Sequence, residues 1–118
     1  MKTKAEELRA QWMAAGLTRG GLDPDPFRQF ETWYGQAMDS GIPEPNGFSL
    51  ATVDARGQPW LRTVLLKIYD REGFVFFTNY ESGKSRQIDG NPKVALLFPW
   101  VALARQVKIT GTASRIIH

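Results

Sequence analysis

The chain has 118 residues, 42% hydrophobic and 23% charged, enough apolar material for one small core and too ordinary a charge content for disorder. Its net charge of +3 is too small to argue for nucleic acid, although it suits an anionic ligand. Cysteine is absent and the one histidine is His118, the last residue, which excludes disulfides, thiolate metal sites, cysteine nucleophiles, His-based triads and multi-histidine metal centres.

No apolar run reaches membrane-spanning length and the N-terminus is polar and charged, so a cytoplasmic location is expected. Residues 3–15, TKAEELRAQWMAA, place Leu8, Trp12 and Ala15 at helical spacing, which predicts an amphipathic helix stopped by Gly16. TRGGLDPDP reads as a linker. Asp25 then caps a second helix with Pro26 at its first position. That helix carries a core-facing stripe of Phe27, Phe30, Trp33, Tyr34, Ala37 and Met38.

After the loop SGIPEPNG the pattern changes to strands, predicted over residues 48–54, 59–70, 74–79, 93–100 and 105–117. A short helix interrupts them from Ser82 to about Gly90. Short turns join the first three strands, which predicts an antiparallel meander. Five strands in a small domain suggest a barrel or a strongly curled sheet. The expected fold class is therefore mostly β with flanking helices, as one domain over residues 1–118.

Two short runs carry chemistry. Gly83-Lys84-Ser85 is the ending of a phosphate-binding P-loop, but the glycine required five residues earlier is Thr78, so a nucleoside triphosphate site is rejected. A strand feeding a helix start capped by Ser82, with Lys84 in the first turn, reads either as a site for a simpler anion or as an ordinary cap with a solvated lysine. The second run is RTVLLK, residues 62–67. Arg62 and Lys67 are five positions apart, so a regular strand puts them on opposite faces, about 16 Å apart, unless a bulge shifts the register. They read either as surface charges or as contacts to two ends of a long ligand.

The runs ATVDARGQPWLRTVLLKIYD, GFVFFTNYESGKSRQIDGNPKVALLFPW and RQVKITGTASR, with LRAQW and GGLDPDPFRQFETWY before them, resemble the N-terminal half of the pyridoxine/pyridoxamine 5′-phosphate oxidases, FMN flavoenzymes of vitamin B6 metabolism. The combination R-x-V-L-L-K, F-T-N, S-x-K, L-L-F-P-W and R-Q-V at these spacings is specific, and no single one of them would be. The resemblance implies an antiparallel split β-barrel with two N-terminal helices, dimeric, with FMN at the subunit interface. By match, Arg62 would contact the FMN phosphate, and Thr63, Val64, Leu65 and Leu66 would lie along the flavin and ribityl chain. Lys67 would reach the flavin and the substrate phosphate region. Phe77 and Thr78 match an FMN-binding pair, Ser82 and Lys84 a phosphate cluster, and Gln106 a glutamine that hydrogen-bonds the isoalloxazine. Arg9 and Trp12 fall on a segment that closes over substrate in the family, where tyrosine often replaces Trp12.

The implied reaction oxidises pyridoxine or pyridoxamine 5′-phosphate to pyridoxal 5′-phosphate by hydride transfer to flavin, with O2 reoxidising it. The flavin does the redox chemistry, so no side-chain nucleophile and no metal is required. Two departures stand out. Gly83 replaces the family's usual arginine, with Arg86 one turn further on. The family also continues past the position of His118 into its Arg-x-His substrate motif, which makes this chain a fragment or a short form. Alternative readings are a flavin-binding split-barrel module without oxidase activity, and a relative that oxidises another small molecule such as a phenazine precursor.

Overall fold

A computed structural model of the chain describes residues 3–17, 19–77 and 83–114, with the side chains of all of these except residues 19 and 83–86. Its contacts divide it into two compact units, Met1–Asn46 with Pro99–Val107, and Gly47–Phe98 with Lys108–His118.

The first unit is helical. Helix α1 spans Lys4–Ala15, with the Thr3 hydroxyl accepting from the Glu6 amide at its start and Gly16 (φ 72°) ending it. The glycine fits because a left-handed φ costs it nothing. The expected amphipathic face is not a buried one. No residue of α1 is buried, Leu8 and Trp12 are half-buried and Ala15 is exposed. Only two long apolar side chains lie on that face, too few to form a continuous stripe. Helix α2 spans Pro26–Asp39 as predicted, capped by Asp25, whose Oδ1 accepts from the Phe27 amide at 3.0 Å. Its stripe buries Phe30 and Ala37, half-buries Phe27, Trp33 and Tyr34, and leaves Met38 exposed. Phe30 stacks on Tyr34 at 5.4 Å and meets Trp100 at 6.1 Å, and the Trp100 indole N–H donates to the Pro45 carbonyl at 2.9 Å. A buried indole needs such a partner.

The second unit is a five-stranded antiparallel sheet in the order β3-β2-β1-β4-β5. The strands are β1 (Gly47–Val53), β2 (Pro59–Asp70), β3 (Gly73–Phe76), β4 (Lys93–Phe98) and β5 (Val107–Thr112). Strands β1 to β3 form the predicted meander. Strand β4 stops two residues earlier than predicted because Pro99 has no amide hydrogen for the ladder. Strands β3 and β5 are also shorter than predicted; residues 78, 79 and 115–117 lie outside the described ones. Alternation along β1 turns Phe48, Leu50 and Thr52 inward. Phe48 packs on Phe98 at 5.1 Å and edge-on to Phe76 at 5.7 Å, with Val64, Leu66, Ile88 and Leu96 completing the core. Helix α3 (Gly83–Gly90) packs against β1.

Candidate functional site

The charged centre of the second unit is Arg62. The register pairs it with Leu50 across β1 and β2, and paired residues share a face of the sheet. Arg62 therefore points to the same side as Leu50 and Thr52, where it is half-buried. Its Nη1 donates to the Leu50 carbonyl at 3.1 Å and to Thr52 Oγ1 at 2.8 Å, and its Nη2 donates to Gln87 Oε1 at 2.8 Å. The Thr52 hydroxyl in turn donates to Gln87 Oε1. Burial pulls the Arg62 guanidinium below its ordinary pKa, but an arginine starts high enough to stay cationic.

Sequence reasoning did not single out Thr52 or Gln87. One signal was available. Thr52 is a lone polar residue on the alternation that carries Phe48 and Leu50 inward, and a buried hydroxyl requires a partner. Gln87 has no comparable signature, because its role comes from where α3 meets β1.

Lys67 lies on the other side of the strand. Arg62, Val64 and Leu66 are buried or half-buried, while Thr63, Leu65 and Lys67 are exposed. The pairing of β2 with β3 shifts between Leu66 and Ile68, so the irregularity falls at Lys67 and leaves both Lys67 and Ile68 exposed. The Lys67 ammonium sits 5.6 Å from the centre of the exposed Phe77 ring. Thr78 and Ser82 lie outside the described residues. Lys84 belongs to the first turn of α3 by its backbone.

The remaining three residues predicted for the site belong to the first unit. Gln106 is exposed and immediately precedes β5, and Arg9 is exposed on α1. Trp12 is half-buried against Trp33, with ring centres 6.0 Å apart, and the Arg105 guanidinium lies 4.4 Å from one ring and 4.6 Å from the other. Trp12, Trp33 and Arg105 line a cleft of about 570 Å³ with Asp23 and Gln36, and the buried Oε1 of Gln36 has no hydrogen-bond partner among the described residues. Desolvation lowers the pKa of Arg105.

Against this geometry, the pyridoxamine 5′-phosphate oxidase family model matches residues 34–118. The chain belongs to the pyridoxamine 5′-phosphate oxidase family. Pyridoxine/pyridoxamine 5′-phosphate oxidases from Crocosphaera subtropica and Rippkaea orientalis are 57% and 59% identical over 109 residues, covering 92% of this chain and 51% of each relative. The chain thus spans about half the length of the curated oxidases it matches. Two solved structures share the fold at low identity. PhzG from Burkholderia lata, solved with tetrahydrophenazine-1-carboxylic acid, superposes with a TM-score of 0.75 at 23% identity over 82% of this chain and 49% of that one. A pyridoxamine 5′-phosphate oxidase-related, FMN-binding protein from Nostoc punctiforme gives 0.63 at 22% identity, over 77% and 47%. The family's split-barrel fold is therefore the one seen here, as its half-barrel of five curled strands with helices. Among the described residues no helix is long and apolar enough to cross a membrane.

Proposed function

We propose that this chain binds FMN and forms the flavin-holding part of an oxidase that converts pyridoxine or pyridoxamine 5′-phosphate to pyridoxal 5′-phosphate, with O2 as the final acceptor. The observation that carries the reading is Arg62, a half-buried cation fixed beside α3 in a chain of this family. The donor set suits a phosphate monoester. An arginine fork, the unpaired amides of a helix's first turn and a lysine in that turn are all anion donors. FMN would supply the hydride-accepting ring.

The chain's own residues would bind and orient. Arg62, Ser82 and Lys84 would hold the phosphate. Val64 and Leu66 point into the core, so their contacts to the cofactor would come from backbone, whereas Thr63 and Leu65 have exposed side chains to offer. Phe77, Thr78 and Gln106 would border the ring, and Lys67 would face both flavin and substrate phosphate from the opposite side of β2. Arg9 and Trp12 would cover the substrate.

The reading includes a homodimer in the cytoplasm. Leu61, Leu65, Ile68 and Phe77 are 69%, 49%, 63% and 68% exposed on one face of the sheet or beside it, an apolar surface suited to a second copy.

Titration of the chain with FMN, followed by pyridoxine 5′-phosphate and a peroxide assay, tests the proposal. Saturable flavin binding is expected, and catalytic peroxide would extend the reading to the oxidase reaction itself. Bound flavin without turnover would favour a binding module, and absence of flavin binding would reject both.

A further inference from the structure

Arg62 is held in a way that leaves its charge available. A guanidinium has five N–H donors in a fixed plane. Three are engaged by the protein: both on Nη1, by the Leu50 carbonyl and Thr52 Oγ1, and one on Nη2, by Gln87 Oε1. Among the described residues the Nε–H and the second Nη2–H have no acceptor. All three acceptors are neutral, and no carboxylate forms an ion pair with Arg62 among the described residues. The group is thus oriented without being neutralised.

Thr52 cannot serve by touching a ligand, because it is fully buried. Its hydroxyl accepts from Arg62 and donates to Gln87, so it ties β1, β2 and α3 together at one point. Gln87 Oε1 accepts from both partners and fixes the other end of the fork. We propose that Thr52 and Gln87 are positioning residues, a neutral clamp that aims the two unengaged donors and the whole charge of Arg62 at one phosphate monoester. The proposal deepens the flavin reading above and rests on it. Two donors from one rigid group match two phosphate oxygens, and holding the side chain in advance removes the rotamer entropy that a free arginine loses on binding.

Fluorescence titration of the full chain with FMN, and with riboflavin, which lacks the phosphate, separates the possibilities. Thr52→Val should weaken FMN binding about five- to ten-fold, the loss of one or two hydrogen bonds. Riboflavin binding should be unchanged, and Thr52→Ser should restore FMN affinity. Gln87→Glu keeps an acceptor in place but brings a negative charge to Arg62, so it too should weaken FMN alone. Since Gln87 is partly exposed, that variant keeps the test open should Thr52→Val fail to fold. Thr52→Val and Gln87→Glu binding FMN like wild type, while Arg62→Ala loses it, would overturn the clamp and leave the phosphate site standing. An equal loss for FMN and riboflavin would also overturn it. Unchanged FMN affinity in Arg62→Ala would remove clamp and phosphate site together.

Discussion

Asp54 closes the turn between β1 and β2 with both carboxylate oxygens. Its Oδ1 accepts from the amides of Arg56 and Gln58, each at 2.9 Å, and its Oδ2 from the Trp60 indole N–H at 3.1 Å. The Trp60 bond and then the Gln58 amide hold its carboxyl below the usual aspartate value. A carboxylate whose folded pKa is depressed contributes stability above its unfolded pKa, about 3.9, and loses it as pH falls through the lower folded value. Trp60→Phe should therefore move the Asp54 midpoint up toward about 3.9, read by NMR titration of the carboxyl carbon; an unmoved midpoint would contradict the assignment. Gly57 in the same turn has φ 85°, with nothing among the described residues within 4 Å of an added Cβ. Gly57→Ala should thus cost only the backbone term, about 1–2 kcal/mol in denaturant unfolding.

Among the elements, α2 and β2 were legible to the residue, and for local reasons. Asp25-Pro26 starts α2 by a cap and a fixed φ, and β2 runs unbroken between two turns from Pro59 to Asp70. Asp25→Ala should cost about 1 kcal/mol in thermal or denaturant unfolding, the usual value of an N-cap. A cost near zero would mean that Pro26 alone sets the helix start. Helix α1 was legible as a helix and not as a face, because Trp12 docks on Trp33 and Arg105, which the spacing of α1 cannot reveal. The same limit applies to the site. Period-two alternation separates Arg62 from Lys67, as the structure has them, but the meeting of Arg62 with Thr52 and Gln87 spans sequence separations of 10 and 25. Contacts of that range depend on strand register and on helix placement, neither of which is written in a local pattern.

For the whole molecule, family membership and fold stand on independent observations, a family match over residues 34–118 and superposition on split-barrel structures. The exposed apolar residues Leu61, Leu65, Ile68 and Phe77 lead to a prediction about assembly. Light scattering should show a dimer for the chain and a monomer for a Leu61→Glu, Leu65→Glu double variant, because a buried charge at the centre of such a contact is strongly unfavourable. A monomeric parent chain would contradict the dimer, and a dimer unaffected by the two glutamates would place its contact elsewhere.

The proposed function depends most on Arg62 binding the phosphate of a flavin. Calorimetric titration of FMN into the chain and into Arg62→Ala tests it most directly. Loss of charge-assisted hydrogen bonds worth about 1.5–3 kcal/mol predicts a Kd weaker by about ten- to 150-fold, with the fold intact by circular dichroism. The same Kd in both proteins would contradict it.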